Sequence, residues 1–434
     1  MSSTDVFGVF ALLVAALSFL NSRYWKLPPT IGILLGGLAM AAVVALLDAF
    51  GSPLGARMRE VVTAIPFGTL VFQWLLSFLL FASATQVNVR ALFRERLAVI
   101  AMTLVTTLLT MLLVGGGVYV LLRTVGLPLS FAQALLFGAI VAPTDPVAVL
   151  PLLRAARVPP RIEALIAGES LFNDGVGVVA FTVLVAVTPP NPESVTLMET
   201  LALFLREMLG GVLLGALLGW LAVLVQRRTR DENTRLLISL ALVLGGNALA
   251  QRLGVSAPVT VAMSGLTLVA LVQLWKQFAE RSGLLARLSD EQRHELERAQ
   301  RRISSFWSFV DYILNAALFA VLAFEVLILQ FDLRRLLLAL AVVGLALAAR
   351  AVGVWLPITV LARRQPFPPY TRRLMIWAGL RGGVTLALAF NLPAGGVRDL
   401  FLIFSYAVVV FGMLVQGLSI PALARRAALQ DASD

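Results

Sequence analysis

Cysteine is absent from the 434 residues, and histidine occurs once, at His294. The chain therefore has no disulfide frame, no thiol nucleophile and no soft-ligand cluster for zinc or iron–sulfur chemistry. Charge is also scarce. Asp, Glu, Lys and Arg together make up 14% of residues against 59% apolar side chains, and mean hydropathy is +0.90. That balance excludes a soluble enzyme, whose surface needs far more charge to stay hydrated. The Gly-rich stretches lack a Walker-type lysine pattern, so nothing points to ATP as an energy source. The net charge of +11 has no soluble basic domain through which to bind nucleic acid, and it reads instead as membrane topology.

What is present is a succession of long apolar runs. A helix needs roughly 20 apolar residues to cross the hydrocarbon. Cutting at charged and Pro/Gly/Asn-rich breaks predicts about thirteen spans, near 5–22, 28–47, 63–84, 98–121, 130–152, 161–187, 204–226, 234–251, 255–275, 304–327, 335–358, 371–392 and 397–421. These segments are apolar all round rather than alternating, so helices satisfy the backbone in lipid and a barrel does not. The expected fold class is an all-α polytopic membrane protein, a single transmembrane unit over 1–434. With the N-terminus outside, 25 of the 35 Lys and Arg fall in inner segments, 8 in outer loops, and Arg350 and Arg381 remain within spans. The positive-inside bias then places the C-terminus in the cytoplasm. Residues 6–20 lack a basic flank and read as a retained first helix. The polar stretch 276–303 reads as a cytoplasmic amphipathic connector.

The informative residues are ionisable groups inside spans, because a charge at the bilayer centre costs roughly 3 kcal/mol or more. In the fifth span, Pro143-Thr144-Asp145-Pro146 sets two prolines around an acid. Each proline removes a backbone donor and clashes with the preceding turn, so the helix should break there. In the sixth span, Glu169, Ser170, Asn173 and Asp174 form a stripe of oxygen donors at helical spacing. Hard oxygen donors without His or Cys suit an alkali cation, and they suit a proton equally well. In the twelfth span, Arg381 lies among Gly379, Gly382 and Gly383. It has two partners open to it, a buried acid such as Glu169 or the negative C-terminal end of a broken half-helix, with Asp145 at a positive N-terminal end. The fifth and twelfth spans are seven apart and both interrupted, so they run in opposite directions. That parity predicts an inverted repeat, 98–187 matching 335–421, with the site at the crossing of the two breaks. Asp311, Asn315 and Glu325 in the tenth span read as caps or helix–helix bonds ahead of the alternative, a transport role, and Arg350 as a side chain that snorkels to the cytoplasm. Gly210, Gly211, Gly215 and Gly219 read as a close-packing face.

Taken together, Thr144-Asp145-Pro146, the segment from Glu169-Ser170 to Asn173-Asp174-Gly175, and Gly379-Leu380-Arg381-Gly382-Gly383 resemble the bacterial and archaeal NhaP-type sodium/proton antiporters of the monovalent cation:proton antiporter-1 family. The resemblance covers nearly the whole chain. It implies thirteen helices in a homodimer, seated as a multi-pass protein in a bacterial or archaeal cell membrane, with no cofactor and no enzymatic reaction. It implies exchange of Na+, with Li+ as a further candidate ion, for one proton. Asp174 would be the exchange carboxylate. Asp145, Ser170 and the Thr144 backbone would help hold the ion, while Glu169 would pair with Arg381 beside Asn173. Members with Asn at the position before the key Asp are generally electroneutral. One departure stands out: many relatives carry an acid after the Phe late in the third span, and Phe81-Ala82-Ser83-Ala84-Thr85-Gln86 has none. A potassium/proton antiporter of the same fold is the nearest alternative, and a cation channel or ion-sensing membrane protein the alternative from another class.

Overall fold

The structure, a computed structural model, describes residues 3–51, 75–147, 149–188, 196–229, 231–282, 290–327, 332–363, 367–368, 370–393 and 395–431; within 3–7, 280–281, 290–301 and 427–431 the backbone alone is described. The described chain is helical, with no strand among those residues. In order the helices are α1 (Ser3–Leu20), α2 (Pro29–Ala49), α3 (Leu76–Gln86), α4 (Val89–Arg94), α5 (Arg96–Thr124), α6 (Phe131–Val141), α7 (Leu150–Ala155), α8 (Pro160–Ala186) and α9 (Leu197–Gln226). There follow α10 (Glu232–Leu253), α11 (Ala257–Arg281), α12 (Asp290–Glu325), α13 (Leu333–Leu361), α14 (Thr371–Trp377), α15 (Gly383–Phe390), α16 (Gly396–Phe411) and α17 (Leu418–Asp431). Wider turns at Asn21–Trp25 and Gly412–Gly417 extend α1 and join α16 to α17. Ten of the described helices are long and apolar enough to cross a membrane by themselves.

Local sequence explains where these helices start. Ser130 and Gln133 at α6, and Thr196 and Glu199 at α9, form reciprocal capping boxes that satisfy the first free backbone donors. Asp231 and Asp332 cap α10 and α13 through Thr234 N and Arg335 N. Proline opens α2 and α8, where its missing donor is not needed. In lipid these internal bonds are obligatory, because no water is there to replace them.

Each predicted span from the fourth to the thirteenth coincides with a helix or a pair of short helices; of the third, 63–84, residues 63–74 lie outside the described residues. Two boundaries differ from expectation. The helices reach into the polar stretch 276–303: α11 continues to Arg281, and α12 runs from Asp290 unbroken into the tenth span. Residues 283–289 lie outside the described residues. The thirteenth span does not stop at 421 but continues helically to Asp431.

The segments 98–187 and 335–421 pack on one another, with α5 against α6, α8 and α13, and α16 against α13 and α15. Beside them α3, α9, α10, α11 and α12 make a second cluster together with α2. The glycine face of α9 serves internal packing. A Cβ on Gly215 would collide with Thr260 O, and one on Gly219 would lie 2.6 Å from Ser264 O, so α9 and α11 approach backbone to backbone. The opposite face of α9 presents Leu201, Leu205, Leu213, Leu217 and Trp220 outward, a surface suited to lipid tails rather than water.

Candidate functional site

Two helix breaks meet at the centre. The chain leaves helical geometry after Ala142 and re-enters it at α7, and it does so again between α14 and α15. The unwound segments bond to each other: Asp145 N donates to Leu380 O at 2.8 Å, and Arg381 Nε donates to Val141 O at 2.9 Å. Val141 is the last residue of α6, so the guanidinium sits at the negative C-terminal end of that half-helix. Its Nη1 also donates to Gly379 O.

Asp145 is held by its own turn, with Oδ1 accepting from Val147 N at 2.8 Å. Its Oδ2 occupies the space that a side chain on Gly382 would need, just ahead of the N-terminus of α15. The missing Cβ is thus what lets the acid reach that end. Oδ2 is buried and has no hydrogen-bond partner.

α8 supplies the polar stripe. Asn173 Nδ2 donates to Thr144 Oγ1 at 2.7 Å and Thr144 N donates to Asn173 Oδ1 at 3.3 Å, while Thr144 Oγ1 and Ser170 Oγ share a hydrogen at 3.0 Å. These bonds clamp the first break to α8. Glu169 is locked by Arg350 of α13, which donates to it through Nη1 and, at 2.9 Å, through Nη2. Arg350 Nη2 donates also to Met375 O at 2.9 Å. Asp174 differs from its neighbours. It is 7% exposed, yet its Oδ1 is buried without a partner, and it lies within electrostatic reach of Asp145. Buried carboxylate oxygens are ordinarily hydrogen-bonded, which sets Asp145 Oδ2 and Asp174 Oδ1 apart from the committed groups of the stripe.

Asp174 also lines a cavity of about 300 Å³. The cavity runs past Pro146 and Val147 to the Arg154–Glu163 ion pair (3.2 Å) on one side, and past Asp311, Asn315 and Gln86 on another. No group of three or more acids converges on one point among the described residues. Asp145 and Asp174 are two carboxylates, the one next in sequence to Thr144 and the other near Ser170, and oxygen donors of this kind, two acids rather than a cage of them, suit a singly charged ion better than a divalent one.

Against known proteins, the family profile described as sodium/hydrogen exchanger, transmembrane, matches residues 8–426. The chain belongs to the sodium/hydrogen exchanger family. That bears out the NhaP-type resemblance read from the three motifs. This family member is 37% identical over 427 residues to the Na(+)/H(+) antiporter NhaP of Pseudomonas aeruginosa, covering 97% of this chain and 96% of that one. It is 27% identical to the Na(+)/H(+) antiporter NhaH of Halobacillus dabanensis, covering 97% and 98%. Its fold matches the solved sodium proton antiporter MjNhaP1 of Methanocaldococcus jannaschii with a TM-score of 0.74 at 20% identity, over 98% of this chain and 99% of that one.

Two readings of the exchanger's sequence need correction. Glu169 is paired with Arg350, not with Arg381, and Arg350 does not snorkel: it is 2% exposed and bonded at the centre. The cause is steric. The space a Cβ would fill on Gly379 is taken by the Arg350 guanidinium, so Arg350 enters the twelfth-span break from the side and reaches Glu169 first. A sequence signal did exist, since Arg350 lies mid-way along an apolar run where snorkelling is long. Arg381 takes the half-helix end instead. Asp311 and Asn315, read as structural bonds, do bond to neighbours, but they also line the cavity that contains Asp174.

Proposed function

We propose that this chain exchanges Na+ for H+ across the cell membrane, one for one, by competition of the two ions for Asp174. The observation that carries this reading is Asp174 at a cavity wall with a buried, unpartnered Oδ1, within electrostatic reach of Asp145, whose Oδ2 is equally unpartnered. Every other polar group of the stripe is already committed, Asn173 to Thr144, Ser170 to Thr144, and Glu169 to Arg350. Thr144 and Ser170 then hold the shape of the Na+ site, Asp145 adds a second carboxylate oxygen, and Asn173 keeps Thr144 in place.

Formal charge supports the stoichiometry. Glu169, Asp145 and Asp174 against Arg350 and Arg381 leave the buried cluster with one net negative charge, one positive charge short of neutrality. One proton or one Na+ makes up that charge; both together overshoot it. An occupied cluster is then neutral enough to pass the hydrocarbon, while a bare one is not, which couples the two fluxes without any further gate. The neutral Asn173 beside Asp174 adds no second titrating charge, in keeping with electroneutral exchange. We take 98–187 and 335–421 as the halves of an inverted repeat that moves as one body. The cavity wall at Arg154–Glu163 belongs to the loop that positive-inside counting assigns to the cytoplasm, so the site in this state opens inward. A homodimer is the expected assembly, checked by mass measurement in detergent.

Asp174→Asn should reduce Na+-driven proton flux in proteoliposomes to that of empty vesicles while the protein still purifies as a folded, monodisperse species. Retained coupled flux would remove Asp174 from the mechanism. Parallel runs with Li+ and K+ separate a sodium from a potassium exchanger, and current without counterflow would mark a channel.

A further inference from the structure

Asp311 on α12 is a second carboxylate in the cavity that contains Asp174, and it is 7% exposed. Among the described residues its two oxygens accept from neutral amides alone: Asn315 Nδ2 reaches Oδ1 at 3.0 Å, and Gln86 Nε2 of α3 reaches Oδ2 at 3.3 Å. Among the described residues, the charged groups of the cavity wall are Arg154, Glu163, Asp174 and Asp311. Arg154 is matched by Glu163, so Asp174 and Asp311 are left as two acids that no cation of the wall balances. A carboxylate at this depth without a cationic partner is costly unless a mobile cation or a proton accompanies it. α12 packs chiefly on α2 and α3, outside the two broken-helix segments. Its carboxylate thus faces the exchange site from a separate structural unit.

Together with Asp174 on the wall of the same cavity, its buried Oδ1 without a partner, this geometry leads us to propose a function for Asp311. With Gln86 and Asn315 it forms a second stop for a monovalent cation, which concentrates the ion in the cavity and hands it to Asp174. Among the described residues α3 brings Ser83 and Gln86 to this wall and no acid, so the negative field on this side comes from α12. The inference rests on the exchange reading above, but it concerns cation capture rather than the exchange step. Narrow cavities lined by one sign of charge raise the local counter-ion concentration.

The test compares the apparent KM for Na+ with the maximal exchange rate in proteoliposomes. Asp311→Asn keeps the shape and hydrogen bonding of a protonated acid but cannot attract a cation. It should raise the apparent KM about tenfold, the low end of such field effects, and leave the maximal rate within about twofold. Asp311→Glu should keep KM near the parent value. Ser83→Asp added to Asp311→Asn should recover much of the loss, because Ser83 lines the same cavity. Gln86→Lys, which leaves α12 untouched and supplies Asp311 with a fixed cation, should raise KM as Asp311→Asn does. An unchanged KM in Asp311→Asn, or a fall in maximal rate alone, overturns the proposal. Should Asp311→Asn not fold, an unchanged KM in Gln86→Lys overturns it equally. The outcome is independent of Asp174: if Asp174→Asn retains exchange, the exchange reading fails, whereas a KM insensitive to Asp311 in an active exchanger defeats only this inference.

Discussion

Between α6 and α7 the chain unwinds at Pro143 and Pro146, residues that cannot donate a backbone hydrogen bond, whereas between α14 and α15 it unwinds at Gly379, Gly382 and Gly383, which lack a side chain. The proline break is set locally, by the backbone's own chemistry. The glycine break is set by what moves into it. The Arg350 guanidinium fills the space beside Gly379, the Asp145 carboxylate that beside Gly382, and the Leu318 side chain that beside Gly383. One break offers the acid, the other the room to receive it, and Arg381 closes the exchange by binding the end of the first half-helix. The lesson is that the two interruptions are one device built from two materials, since neither accounts for its own polar groups without the other.

The largest disturbance comes from unbalancing the glycine side. Glu169→Gln leaves the Arg350 guanidinium buried without its counter-charge and should cost about 3–5 kcal/mol of stability. The double variant Glu169→Gln with Arg350→Met should recover most of that loss, both being read by thermal unfolding in detergent. Equal melting temperatures for the parent and Glu169→Gln would mean that the pair does not hold the second break. Next in size is Gly382→Ala, whose methyl would collide with the Asp145 carboxylate and should cost about 1–3 kcal/mol as overpacking. Because the displaced group belongs to the proposed ion site, the maximal exchange rate should fall more than the melting temperature suggests. The smallest effect is expected from Pro143→Ala. Pro146 and the Arg381–Val141 bond still hold that break open, so the change should stay near 1 kcal/mol with exchange largely kept. A Pro143→Ala variant as inactive as Gly382→Ala would erase the distinction between the two breaks.

Much of this was readable from residue order. Asp145 between two prolines, and the Glu169 to Asp174 stripe, announce their positions because an ionisable group in a lipid-depth helix has few innocent uses. The half-helix end chosen by Arg381 was one of its two open options. Arg350 was missed because the sequence shows only its distance from the span's ends, while its partner lies 181 residues away. Asp311 was read as a structural bond for the same reason. Its neighbours in the chain look like a helix start, and only packing brings α12, α3 and α8 around one cavity.

By itself, the sequence determined the membrane solvent, the order of the spans, the two points of interruption and the chemical kind of the site. All of these follow from hydropathy, proline's missing donor and the price of burying charge, which act within a few residues. Tertiary structure alone decided which base meets which acid and which acids share a cavity. Ion pairing falls off within a few ångströms, and those ångströms are set by helices far apart in the chain meeting where glycines leave room.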